Sequence, residues 1–285
     1  MTNERKATFI LEIIAVLLLV AFFFPFFIVL MNAGKTSQEI INAPMAMPSS
    51  ISQFYINVRN ILTNPSVRYG RSFFNSLFIT TFSLIFINIS SGMAAWVLVR
   101  TKKKYSTLIF MFFLAGMVIP FQVVMLPLVR FLEVLRSWTG IPFKDTFHGV
   151  ILAYMGFGAP LSVFMFHGFM KSIPIDIEEA ATIDGCTKIQ MFFRIILPIL
   201  KPIFVTLLVL NGLWIWNDYL LPVLIIGMNG KVRTLPLAVA NLAGSYVRQW
   251  DLILTSVVLA ALPVIVLFLF AQKHIIKGMT SGAIK

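Results

Sequence analysis

The sequence predicts an all-α, polytopic membrane protein with six transmembrane helices. Three observations carry the prediction. Hydrophobic residues fill 59% of the 285 positions. Charged residues fill only 12%, against about 25% in a soluble domain. Long apolar stretches recur, each near the ~20 residues a helix needs to cross about 30 Å of hydrocarbon. The formal net charge of +12 is then read as basic residues holding loops on the cytoplasmic side, and no nucleic-acid partner is expected.

The first span covers residues 9–31. It is too long for the apolar core of a signal peptide, so it is expected to be retained. Pro25 is expected to kink it. Residues 32–69 are polar and punctuated by Pro44, Pro48 and Pro65. Within them Ile51, Phe54, Tyr55, Val58, Ile61 and Leu62 keep helical spacing. This reads as an amphipathic helix on the outer membrane surface, or equally as a helix packed over the spans.

The second span covers residues 73–99. Its Asn75, Asn88, Ser90 and Ser91 need partners in lipid and are expected to face other helices. Arg100, Lys102, Lys103 and Lys104 come next as a basic cluster, the strongest topology signal, and place that turn in the cytoplasm. The third span, 106–129, carries Pro120 and Pro127 and is expected to be broken in its outer half. Residues 130–148 form an outer loop. The fourth span is 149–170. The fifth, 203–226, contains Pro222, expected to unwind it locally. An outer loop at 227–249 leads to the sixth span, 252–271. Alternation puts both termini in the cytoplasm.

Residues 174–202 are the longest polar interruption in the second half of the chain. They carry Asp176, Glu178, Glu179 and Asp184, four of only eleven acidic residues. Two short helices are expected. Asp176 caps the first, with Glu179 at capping-box spacing. Gly185 stops it in the left-handed conformation. Thr187 caps the second with Gln190. Ile189, Phe192, Phe193 and Ile196 then share a face. A folded element of this kind between two spans reads as a surface for another protein.

Chemistry of other kinds is missing. No Gly-x-x-x-x-Gly-Lys-Ser/Thr loop is present, so nucleotide hydrolysis by that route is excluded. There is no nucleophile elbow and no His-Glu-x-x-His pair. Cys186, the only cysteine, reads as structural. Three widely spaced histidines give no expected metal site. Asp218, in the run Trp216-Asn217-Asp218-Tyr219, is the one acidic group in the last three spans. It reads either as part of a solute pathway or as an interfacial partner of Arg233 or Arg248. So few acidic residues in the spans weaken an ion-coupled mechanism.

Glu179-Ala180-Ala181-x-x-x-Gly185, followed after nine intervening residues by Ile195-x-Leu197-Pro198, resembles the signature loop of permease subunits of bacterial ABC importers. Further matches resemble the carbohydrate branch, in the position of the maltose-type second permease. These are Asn75-Ser76-Leu77, Ile173-Pro174, Trp216-Asn217-Asp218-Tyr219-Leu220, Thr234-Leu235-Pro236-Leu237, Trp250-Asp251, Leu262-Pro263 and the tail from Gly278. Cys186 and Ile284 depart from the usual small residue and Val.

The resemblance implies a type I ABC importer permease fold. Residues 1–70 would hold the first helix and the outer segment. Residues 71–273 would be the permease domain with a coupling loop at 172–202, and 274–285 a cytoplasmic tail. Glu178, Glu179, Ala180, Ala181, Asp184 and Gly185 would dock on a separate ATPase. Trp216, Asn217, Asp218 and Tyr219 would line the solute path. The implied partners are a homologous permease, two ATP-binding subunits, a solute-binding protein meeting the 227–249 loop, and membrane lipid. ATP and Mg would be held by the ATPase, with no cofactor on this chain. A sugar importer in a bacterial inner membrane is implied. A polyol, glycerol phosphate or peptide importer, or a stand-alone channel or carrier, are the alternatives.

Overall fold

The computed structural model describes residues 3–228, 230–243 and 249–283, and every regular element among them is helical. In chain order these are α1 (Asn3–Ala33), α2 (Ser37–Asn42), α3 (Ser52–Thr63), α4 (Tyr69–Arg100), α5 (Lys104–Val118), α6 (Phe121–Thr139) and α7 (Phe147–Met170). Next come α8 (Asp176–Ile183), α9 (Lys188–Met191), a π-helical turn (Phe192–Ile196), α10 (Leu197–Ile199), α11 (Lys201–Asn217), α12 (Leu220–Ile226), α13 (Leu235–Ala243) and α14 (Trp250–Ala283). The chain divides into two compact units. One is Met1–Gly70 with Ala238–Leu262, the other Arg71–Leu237 with Pro263–Lys285.

In the first unit α1 is apolar all round and exposed over its most apolar stretch. Such a helix needs an apolar surrounding on every side. It continues through Pro25 to Ala33. There the chain closes a polar knot around Lys35, which is only 1% exposed. Lys35 Nζ donates to Asn32 Oδ1 at 3.0 Å, Ala43 O at 2.9 Å and Pro44 O at 3.3 Å. All three ammonium donors thereby meet oxygen, which a buried charge requires. Asn57 of α3 donates to Ala33 O and Lys35 O. Thr255 of α14 also donates to Ala33 O, at 3.0 Å. Two of these bonds satisfy the Ala33 carbonyl, which the end of α1 leaves without a helical partner. Thr36 and Glu39 form a capping box that starts α2. The Ser49 hydroxyl, with the Thr36 backbone, holds the Glu39 carboxyl below the usual carboxylate range.

The predicted outer helix is α3. Ile61 is buried beside Val67, Ala238, Leu242 and Leu252, while Ile51, Tyr55 and Leu62 are exposed. The expected single apolar face is therefore two. One packs inside the unit with Asn57 among it; the other stays open.

In the second unit α4 runs unbroken for 32 residues. Close approach to its neighbours depends on small residues, as in membrane packing generally. A Cβ on Gly158 of α7 would lie 2.6 Å from Ile87 Cδ1. One on Gly92 would lie 3.4 Å from Phe192. Asn75 faces another segment, and Asn88 and Ser91 are buried as expected, Asn88 donating also to Leu84 O, whereas Ser90 is exposed and donates to Phe86 O within α4 itself. One core cluster gathers Ile79, Ile87, Leu132, Tyr154, Leu221 and Leu237. A second gathers Ala95, Trp96, Phe166, Met191, Phe192 and Ile196.

The third expected span is a bent pair, and the fifth bends away from the helical arm before it and is broken again beyond Asn217. After Val118 the chain turns at Ile119–Pro120, and α6 leaves at 111° to α5. The break expected in residues 106–129 is thus at Pro120. The helix beyond it runs to Thr139, well into the expected outer loop, and stops at Gly140 with φ +71°. Lys188–Ile199 and Lys201–Asn217 meet at 78°. α11 ends at Asn217 with Asp218 as its C-cap, and α12 restarts at Leu220. The expected unwinding at Pro222 is corrected: Pro222 lies in the first turn of α12, where its missing N–H has no helical acceptor to lose. The sixth span, Trp250–Leu269, belongs to a helix that continues to Ala283. Residues 274–283 are therefore helical; Ile284, Lys285 and Arg248 lie outside the described residues.

Candidate functional site

Residues 174–199 fold as a helical hairpin. Asp176 does not cap the first helix. The N-cap of α8 is Ile175, which makes no side-chain cap bond, and Asp176, Glu178 and Glu179 all lie in the first turn. There their charges favour the positive end of the helix dipole. The helix closes at Gly185, φ +80°, with Cys186 N donating to Ala181 O at 3.0 Å and Gly185 N to Thr182 O at 3.1 Å. A Cβ on Gly185 would meet nothing within 4 Å. Glycine is needed here for its backbone angle, not for space. The Thr187–Gln190 capping box is formed in both directions.

The hairpin has two distinct faces. Glu179, Ala180, Asp184 and Gly185 are exposed. Asp176, Glu179, Ala180 and Ile183 recur at helical spacing and form one open stripe, with Ile183 86% exposed at its end. Glu178 and Ala181 point the other way and are buried. Two of the six expected docking residues are therefore turned into the protein. Glu178 Oε1 accepts from Arg100 Nε at 2.7 Å, and Arg100 Nη2 donates to Ile173 O at 2.9 Å. The pair side chains are 20% and 9% exposed. That places it between an exposed pair, worth about 0–1 kcal/mol, and a fully buried one, whose disruption costs about 3–5 kcal/mol. In the sequence Arg100 reads only as a topology signal. Two adjacent glutamates look alike in a sequence; only the buried Ala181, three residues after Glu178, separates them.

The second arm departs from regular spacing. Phe192 and Ile196 are fully buried, while Ile189 is 65% and Phe193 43% exposed. The expected common face is split by the π turn, whose extra residue per turn rotates the side chains beyond it. Phe192 packs on Trp96 of α4 with ring centroids 5.9 Å apart.

The expected solute-path residues cluster at the break between α11 and α12. Tyr154 is fully buried and donates to Asp218 Oδ2 at 3.1 Å. Asp218 Oδ1 accepts from Leu220 N at 3.0 Å. Asp218 thus serves the backbone where one helix stops and the next begins, as short acidic side chains do at helix starts. Trp216 is buried edge-on against Phe73. Asn217 is exposed and donates to Leu213 O at 2.8 Å. Tyr219 donates to Met228 Sδ at 3.4 Å.

The far end of α4 holds the segment 231–235. Asn75 Nδ2 donates to Arg233 O at 3.0 Å, and Leu235 N donates to Ser76 Oγ at 2.8 Å. Asp145 supports the same segment from the loop before α7. Its oxygens accept from Lys231 N at 2.9 Å and Val232 N at 3.1 Å. The sequence gives no sign of this role, because Asp145 sits in no helical pattern.

Residues 87–281 match the family described as binding-protein-dependent transport system inner membrane component. The chain is 38% identical over 289 residues to the probable starch degradation products transport system permease protein AmyC of Thermoanaerobacterium thermosulfurigenes, covering 100% of each. It is 33% identical over 286 residues to the melibiose/raffinose/stachyose import permease protein MelC of Bacillus subtilis, covering 99% of this chain and 98% of that one. It also resembles a chain in the crystal structure of a bacterial ABC transporter importing the acidic polysaccharide alginate. The TM-score is 0.76 at 16% identity, over 96% of this chain and 98% of that chain, a likeness of fold. The helical hairpin, the bent spans and the match over most of the sequence lead to one family: this chain belongs to the inner membrane components of binding-protein-dependent transport systems.

Proposed function

We propose that the chain is the permease subunit of an ATP-driven importer that moves a sugar or oligosaccharide into a bacterial cell. One observation carries the reading. A folded hairpin presents Glu179, Ala180 and Ile183 to the outside while its opposite face is fixed to α4 through Arg100 and Glu178. An isoleucine 86% exposed on a charged element is suited to burial by a partner. That partner is a separate ATPase, which holds ATP and Mg and performs the hydrolysis. Ala180 lets it approach closely. Gly185 gives the hairpin its sharp turn.

The rest of the assembly is set by this assignment. A homologous permease completes the translocation path, two ATP-binding subunits drive it, and a solute-binding protein delivers the solute to the 227–249 loop. The hairpin and both termini face the cytoplasm, and the helical 274–283 segment reaches toward the ATPase. The names of the relatives support the solute class. The bonds of Asp218 to Tyr154 and to Leu220 N favour a structural role over direct solute contact, whereas the exposed Asn217 remains available to a solute.

Reconstitution tests the reading. Proteoliposomes holding this chain, a second permease, ATPase subunits and the binding protein should accumulate radiolabelled maltotetraose, or another member of a sugar panel, only with MgATP inside. Solute flux through the purified chain alone, without ATP or partner, would overturn it.

A further inference from the structure

We infer that α4 is a strut that carries movement of the hairpin to the segment 231–235 at its far end, an inference that rests on the proposed ATPase docking of the hairpin. The helix has 32 residues, about 48 Å at 1.5 Å per residue. This exceeds the ~40–45 Å of a bilayer with its headgroups. Among the described spans it alone has neither a proline nor a break. Pro25, Pro160 and Pro263 lie within α1, α7 and α14, α5 and α6 meet at 111°, and α11 and α12 are separated by Asp218 and Tyr219. Proline removes a helical hydrogen bond and is the usual site of bending. α4 is thus the span best able to pass a displacement along its axis.

Both of its ends are fastened to elements that other proteins would touch. At one end Arg100 holds Glu178 and Ile173 O, while Trp96 and Gly92 pack on Phe192. At the other, Asn75 and Ser76 hold the backbone of Arg233 and Leu235. These last bonds go to main-chain atoms, so they fix the path of the segment rather than one side chain. Asp145 braces the same stretch from a second element. A displacement of α4 must either carry the segment with it or break bonds to it. Two sites joined through one stiff element bias each other reciprocally.

The test uses the full transporter with its ATPase subunits in lipid nanodiscs. A fluorophore is placed on Lys231→Cys, an exposed position, in a Cys186→Ser background, and the probe is MgATP with vanadate. The emission change is divided by the nucleotide trapped in the same sample, so that a poorly folded fraction does not count. The intact strut should give a nucleotide-dependent change. Arg100→Gln, Glu178→Gln and the double variant Asn75→Ala/Ser76→Ala should each reduce it at least about fivefold, the low end of common coupling factors. The exchanged pair Arg100→Glu/Glu178→Arg should recover part of it. An unchanged response per trapped nucleotide in all three variants would overturn the strut alone. A wild-type assembly that traps no nucleotide would instead overturn the ATPase-docking reading beneath it.

Discussion

Glycines along α7 separate packing from conformation. A Cβ on Gly149 would fall 1.8 Å from the Phe143 carbonyl oxygen, a backbone atom that cannot swing aside. At Gly156 and Gly168 it would meet nothing within 4 Å. Gly149→Ala is therefore expected to cost more than the ~1–3 kcal/mol of ordinary overpacking. Gly168→Ala should be neutral or stabilising by up to ~1 kcal/mol, since glycine weakens a helix interior. Thermal unfolding in detergent decides it, and equal shifts for both would refute the argument. Lys35 makes the complementary case. Lys35→Met removes three donors from Asn32, Ala43 and Pro44, and hydrogen bonds from charged groups are worth roughly 1.5–3 kcal/mol each. A loss of at least ~2 kcal/mol in the same assay is expected, and one below ~0.5 would mean that the knot is dispensable. Neither feature is visible in the sequence. A lysine in a polar loop sequence has no mark of burial, because its acceptors are backbone carbonyls that any residue supplies.

Helix ends are partly legible in the sequence, in proportion to how local their signals are. The capping box at Thr187 and the stop at Gly185 involve residues within five positions of one another, and both form as expected. The break at Asp218 is expected instead at Pro222. Hydropathy averages over a window, and the partner that rewards the break, Tyr154, lies 64 positions away. The second half of α6, from Arg130, and the helix α13 read as loop for a similar reason: their apolar faces depend on neighbours distant in sequence. Two substitutions test the ends. Gly185→Asn should keep most coupled transport, because Asn tolerates the left-handed region, while Gly185→Val should lose it with membrane insertion intact. Equal transport in both would show that φ +80° does not matter. Asp218→Asn retains a side-chain oxygen for Leu220 N and should transport nearly as wild type. Asp218→Ala should not. Loss in Asp218→Asn would restore the charged-pathway reading.

Six apolar stretches are readable in the sequence, and their number agrees with four long helices plus two bent pairs, each taken as one span, among the described residues. Orientation rests on the basic cluster after α4. It predicts that Ile183→Cys, in a Cys186→Ser background, reacts with a membrane-impermeant maleimide only from the cytoplasmic side, and Lys231→Cys only from outside. Labelling of both from one side would reverse that part of the topology. The residues proposed for coupling are recognisable as a motif because they share one hairpin. Their division into an outward and an inward set is not, because it depends on Arg100, 78 positions from Glu178.

The uninterrupted length of α4 also has a consequence for the lipid. A rod of about 48 Å overspans a hydrocarbon layer of about 30 Å, and it has no kink with which to adapt. Thinner membranes must be met by tilt, a modest cost per ångström of mismatch. Tilting swings Asn75 and Arg100 sideways in opposite directions, so acyl-chain length becomes a control on how the hairpin and the opposite segment are aligned.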